Sequence, residues 1–237
     1  MSKVSYFLLK LSLFIAARPA APNYFIGIRL HGIQKEVDEL NERLVSVQSE
    51  LKHYLTSTKR LHFTSFVLSF TDNADVTRAL EVFSGCQNKI QDLFRGGPRA
   101  VSFHSLSEFP GKVLYLEPEK DDTMLKLHQL TDVLKNAFGD ANLLDVSAVN
   151  SVWSPHVTIA KKSKNMKRRL EDKNTFKVTT YGSVTPGVLS SELTVVELLS
   201  MQGNSSVESD ALNMEGYYRS LGSISLFPNA SSTDEGL

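Results

Sequence analysis

Two tripeptides of one design, His62-Phe63-Thr64 and His156-Val157-Thr158, carry the most visible chemistry in the chain. Each lies in a stretch rich in β-branched and aromatic residues, which predicts a strand. Side chains alternate faces along a strand, so His62 and Thr64 share a face, and so do His156 and Thr158. An imidazole titrates near neutral pH, and a threonine hydroxyl can hold a phosphate oxygen. Facing each other, the two pairs would supply a general base, a general acid and two phosphate anchors. That set suffices for phosphodiester chemistry without a metal.

One His-x-Thr alone would be a weak signal. The chain has six histidines, and a short pattern of this kind arises readily by chance. Its ordinary meaning is a core histidine beside a threonine that suits a strand. Two copies in matched apolar settings, one in each half of the chain, favour a shared phosphate site. The other histidines (His31, His53, His104 and His128) fall singly at a strand end, on a helix, in a strand and on a helix, where local satisfaction or solvation is expected. No His/Cys/Asp cluster has zinc spacing, so neither a metal nor a cofactor is expected. Cys86 sits on a predicted helix and reads as packing. Phe25, Tyr217 or Tyr218 could stack on a base, worth ~1–3 kcal/mol where it occurs. Arg29 shares a strand face with Phe25 and could reach a phosphate.

Elements that could position these residues follow from the hydrophobic periodicity. Residues 23–30 read as a first strand. Val37, Leu40, Leu44, Val47 and Leu51 recur at spacings of three and four and predict an amphipathic helix over 34–54. Residues 61–70 form the first motif strand. The Asp72-Asn73-Ala74-Asp75 sequence predicts a helix start, with the helix running over 76–94. Strands are expected over 100–107 and 112–116, around a hairpin turn at 108–111. A second long helix follows over 121–138. A loop then leads to Pro155, which suits the first position of a strand, and to the second motif strand over 156–160. Late strands are expected over 193–201 and 220–227, with a polar loop at 203–210. Strand, helix and motif strand recur, which predicts an α+β fold: a duplicated antiparallel β/α unit with two lobes meeting at a central cleft.

Composition narrows the partners. In 237 residues, Lys+Arg and Asp+Glu balance at 26 each. That neutrality fits a nucleotide or short oligonucleotide substrate better than duplex DNA. The basic run at 161–169 follows the second motif and could track an oligonucleotide backbone or remain a solvated loop. With one cysteine there is no intrachain disulfide, which points to a reducing compartment, cytoplasmic or nuclear. Residues 4–17 are apolar, interrupted by Lys10, and residues 1–20 read as a leader or a variable N-terminal extension. The Ser-rich acidic tail, 228–237, is expected to be disordered. A monomer is expected.

The motifs carry a family resemblance as well. Pro22-Asn23-Tyr24-Phe25, Leu61-His62-Phe63-Thr64, Pro155-His156-Val157-Thr158-Ile159 and Gly216-Tyr217-Tyr218 together resemble the 2H phosphoesterase superfamily. Within it, the chain is most similar to the central domain of A-kinase anchoring protein seven and relatives such as leukocyte receptor cluster member nine. The Phe109-Pro110-Gly111-Lys112-Val113 turn fits too, and the resemblance spans residues 21–227. It implies the two-lobed 2H phosphoesterase fold and a hydrolase: a metal-independent phosphodiesterase acting on 2′,5′-linked oligoadenylate or related RNA-derived phosphodiesters. His62, Thr64, His156 and Thr158 would be catalytic. Thr64, His156, Val157, Thr158, Ile159, Phe25, Arg29 and Tyr218 would bind substrate. The alternative is an AMP- or CMP-binding module of the same fold with little or no turnover. Ser65 departs from the pattern, standing where the family has an apolar residue; on the back of the strand it predicts only a small packing change. No kinase-anchoring helix is visible, so anchoring is not carried over.

Overall fold

Alternating apolar and polar residues become, in a computed structural model of the chain, strands of a single sheet. The structure describes residues 21–162, 176–201 and 216–227. The N-terminal extension, the basic run beyond residue 162, the polar loop and the acidic tail lie outside the described residues. The strands are β1 (Tyr24–Arg29), β2 (His62–Leu68), β3 (Ala100–Phe109), β4 (Val113–Pro118), β5 (Val157–Lys161), β6 (Leu189–Glu192), β7 (Val195–Ser200) and β8 (Arg219–Ser225). All eight lie in the order β6-β3-β4-β5-β2-β1-β7-β8, and every neighbouring pair is antiparallel. This is the expected α+β architecture, with one refinement. The halves are not successive along the chain: β3 to β6 form one half as a continuous stretch, and β1, β2, β7 and β8 form the other from both ends.

The halves meet at β2 and β5, the two motif strands, through a single register pair, Phe63 with Val157. Beyond that pair the strands part. The C-terminal half of β5 bonds instead to the segment at 54–56, where Thr56 N donates to Ile159 O (2.7 Å) and Lys161 N donates to Tyr54 O (2.9 Å). This divergence opens the cleft.

The helices are α1 (Gln34–Val47), α2 (Asn73–Gly85), α3 (Gln87–Phe94), α4 (Asp122–Asp140) and a short α5 (Val146–Val149). α4 packs against β2 and β3, and α2 against α4 and β8. One hydrophobic core joins them to the back of the sheet, with Phe63, Phe103, Leu116 and Val157 of the strands fully buried beside Leu127, Leu130 and Leu134 of α4. Among the described residues no helix is long and apolar enough to cross a membrane.

Several boundaries move, each for a local reason. α1 stops at Val47 because Gln48 is extended (φ −139°, ψ 97°); the chain then recoils as a 3₁₀ turn, Ser49–His53, which keeps Leu51 buried. The helix expected over 76–94 begins earlier and splits at Cys86. Asp72 caps its start by accepting from Asp75 N at 2.9 Å, satisfying one of the donors that a helix start leaves free. Asp121 caps α4 in the same way through Met124 N. The β3–β4 turn sits one residue later than expected: Lys112 N bonds to Phe109 O, with Pro110 second and Gly111 third at φ 68°. Proline then glycine in those places is the preference of a type II turn. α5 falls in a stretch read as loop and β6 in one given no element, because Val-Ser-Ala-Val and Leu-Ser-Ser-Glu are too short to show a period.

Candidate active site

Phe63 and Val157 are both turned into the core, so their neighbours face the cleft. Because the strands run antiparallel through that pair, His62 falls on the side of Thr158 and Thr64 on the side of His156. All four are half-buried. The two motifs thus lie antiparallel, each histidine on the side of the other's threonine.

The two imidazoles are held alike. His62 Nδ1 lies 2.6 Å from the carbonyl of Arg60, and His156 Nδ1 lies 2.9 Å from the carbonyl of Ser154. A carbonyl only accepts, so each Nδ1 carries the proton and each neutral ring keeps its lone pair on Nε2. Both rings are also framed by aromatics. His62 lies 5.0 Å from Phe25, 5.4 Å from Tyr218 and 6.4 Å from Tyr217. His156 lies 4.8 Å from Phe109 and 5.4 Å from Tyr115.

Their surroundings differ in depth. Burial pulls His62 down to about 4; the Arg60 carbonyl opposes this, while the charges of His156 and Lys161 add to it. His156 is also lowered, by burial first and then Lys161, against the Ser154 carbonyl. The neutral ring is therefore favoured more strongly at His62.

The remaining expected residues divide. Tyr218 stays half-exposed beside His62, under the Arg60 guanidinium (5.9 Å). Arg60 Nε also donates to Gly216 O at 3.4 Å, and Gly216 takes φ 82°, which turns the chain so that both tyrosines reach His62. Arg29 is the register partner of His62, but its guanidinium stacks on Tyr217 (4.4 Å) and its charge acts on the Glu197 carboxyl, which burial otherwise raises. Phe25 is 1 % exposed and packs on His62, so it supports the histidine and leaves no face for a base. Val157 and Ile159 turn their side chains the other way. Both side chains are buried in the core, because strand alternation turns them away from His156 and Thr158, so neither can line a substrate pocket with its side chain. Ser65 lies on the back, as expected, where it accepts a hydrogen bond from Thr131 Oγ1 (3.3 Å).

Phe109, Tyr115, Trp153 and Lys161 join the site without having been expected there. Tyr115 was within reach, since it is the register partner of Thr158; the others are placed by the tertiary fold. Beside the cleft lies a cavity of about 680 Å³ whose walls include Tyr115, His128, Trp153 and Pro155. None of the four motif side chains lines it. Among the described residues no group of three or more His, Cys, Asp or Glu is placed to hold a metal ion.

Comparison with known proteins bears on the family and the fold. The family model described as AKAP7 2′5′ RNA ligase-like domain matches residues 22–226. No curated protein matches the chain. Among solved structures, TT0787 of Thermus thermophilus superposes with a TM-score of 0.50 at 17% identity, covering 86% of this chain and 97% of its own, which shows the fold. LigT of E. coli, complexed with ATP, gives 0.44 at 14% identity, covering 87% and 98%. The PDE domain of MHV ns2 gives 0.44 at 14%, covering 77% and 100%.

Proposed function

This chain belongs to the AKAP7 2′5′ RNA ligase-like domain family of 2H phosphoesterases, and from that premise we propose that it is a metal-independent phosphodiesterase of 2′,5′-linked oligoadenylate or related RNA-derived phosphodiesters. The observation that carries the reading is the crossed arrangement of the motifs, His62 on the side of Thr158 and Thr64 on the side of His156, with both Nε2 atoms left free by bonded Nδ1 atoms.

His62 is the base. Its deeper burial keeps it neutral, so its Nε2 lone pair is ready to take a proton from the nucleophile, a neighbouring ribose hydroxyl or a water. The nucleophile's oxygen bonds to phosphorus, the bond from phosphorus to the leaving ribose oxygen breaks, and protonated His156 gives its Nε2 proton to that oxygen. Thr64 and Thr158 donate to the non-bridging oxygens as negative charge builds on them. Solvent then returns each histidine to its starting state. Tyr218 is the exposed aromatic for a base, and Lys161 supplies positive charge that draws an anionic substrate toward both imidazoles.

The test is incubation with EDTA against 2′,5′- and 3′,5′-linked triadenylate and 2′,3′-cyclic nucleotides. Cleavage should survive EDTA and vanish in His62→Ala and His156→Ala. Binding of AMP or CMP by the unmutated protein, with no turnover of any of these, would replace the enzyme reading by a nucleotide-binding module.

A further inference from the structure

β2 and β5 carry the two motifs yet share one register pair. A ladder that short fixes a point of contact but not the angle or spacing of what flanks it. Four side chains that must reach one phosphate need a second constraint, because reacting groups displaced by about 1 Å can lose roughly 10²-fold in rate.

α4 supplies one. His128, Thr131 and Lys135 stand at spacings of three and four, and so share a face of that helix. Thr131 is fully buried and bonds to Ser65 on the back of the first motif strand. Lys135 is 3 % exposed, and its Nζ donates to both the carbonyl (2.7 Å) and the Oγ (3.0 Å) of Ser151 in the lead-in to the second motif. His128 packs edge-on to Trp153, at 4.9 Å.

Trp153 joins the two sides. Its Nε1–H donates to the Thr64 carbonyl at 2.7 Å, and its ring lies 6.2 Å from Phe63. The next residue, Ser154, offers the carbonyl that orients His156. A short covalent and hydrogen-bonded path therefore runs from the main chain of the first motif to the imidazole of the second. It lies where β5 has not yet begun and no ladder bond ties the lead-in to β2.

We propose that Trp153, seated against the His128–Thr131–Lys135 face of α4, is a positioning residue that sets the separation and angle of the two His-x-Thr motifs. Its catalytic meaning rests on the phosphodiesterase reading; its geometric meaning does not.

Trp153→Phe keeps a ring against Phe63 and His128 and removes the N–H. In the whole protein without ligand, the His62 and His156 imidazoles are followed by NMR titration. The variant should show the His62 midpoint raised above that of the unmutated protein, with a thermal melt changed by only a few degrees. In turnover of 2′,5′-linked triadenylate, kcat should fall about tenfold or more while KM stays within about twofold, the pattern of an interaction that matters in the transition state. Thr131→Val cuts the same brace from the other side and should move the same midpoint in the same direction, by less. If Trp153→Phe does not fold, Thr131→Val decides. Titrations unchanged in the folded variants overturn the proposal, and so does a kcat loss no larger than the loss of folded protein. If the unmutated protein cleaves nothing, the phosphodiesterase reading fails, while the titrations still decide whether the brace exists.

Discussion

The ring of Phe25 lies 5.0 Å from that of His62, and residue 27 has to be glycine for it to lie there. Gly27 stands next to Thr64 in the β1–β2 register. A Cβ at that position would come within 2.8 Å of Phe25 Cε2 and 2.9 Å of Leu199 Cδ1. Both side chains are buried in a small cluster with Tyr217, so neither can swing clear.

Gly27→Ala is therefore expected to destabilise the protein by about 1–3 kcal/mol, the usual cost of overpacking. Phe25 should shift off His62, and the His62 titration midpoint should rise as its ring gains access to water. Chemical denaturation and NMR titration check the two halves of this prediction. A variant with unchanged stability and an unmoved His62 would remove Phe25 from the support of the site.

The acid and base roles predict a bell-shaped pH dependence of kcat/KM in the free enzyme. Activity should rise with pH as His62 loses its proton near 4. It should fall as His156 loses its proton below the ordinary histidine value of 6.5. An anionic substrate favours the protonated form of both rings, so the alkaline limb of kcat should lie at higher pH than that of kcat/KM. Steady-state kinetics from about pH 3.5 to about pH 8 test this, with stability controls at each end. An alkaline limb of kcat/KM well above 6.5 would contradict the lowering of His156.

Folding stability should carry the signature of the same burial. Between pH 6.5 and about 4 the unfolded chain binds a proton at residue 62 that the folded protein refuses. Stability is then complete above 6.5 and drops as pH falls through that window, with no further contribution from this group below about 4. The difference in stability between the unmutated protein and His62→Gln, measured by denaturant titration, should change across that window and nowhere else. A constant difference would mean that His62 is not held neutral by the fold.

The threonines make a separate prediction. Thr64→Val and Thr158→Val keep the shape and strand preference of the side chain and remove its hydroxyl. Each should lower kcat by about 10²-fold, the scale seen when one donor to a developing oxyanion is removed, with the melting temperature little changed. Ser at either position should restore most of the loss. Full activity in both Val variants would take the hydroxyls out of the mechanism.

Most of this site is legible in the chain because strand alternation is a strict rule. Period alone sets His62 and Thr64 on one face, and His156 and Thr158 on another, and the structure puts all four at the meeting of β2 and β5. The same rule turns the side chains of Val157 and Ile159 into the core, which leaves their main chain as the part that could meet a substrate. Phe109 comes to His156, Lys161 to His62 and Trp153 to the Thr64 carbonyl through tertiary contacts, which no local period reports. Gln48 and Cys86 break helices within continuous apolar periods, since burial of Leu51 and Ile90 continues across a backbone break that periodicity does not register. β6, a short edge strand with two serines, is held by its ladder with β3.

The order of strands in the sheet also dictates an order of assembly. β3 to β6 can pair with one another as soon as that stretch leaves the ribosome. β1 must wait for β7, which lies about 170 positions later in the chain, a pairing of high contact order and correspondingly slow closure. Tyr217 and Tyr218, which close over His62, come later still. During synthesis the β3 to β6 ladder can thus form while His62 is still open to water, and its enclosure waits for residues made after both motifs. A nascent or C-terminally shortened chain would carry both motifs and lack the dry, neutral imidazole on which the proposed chemistry depends.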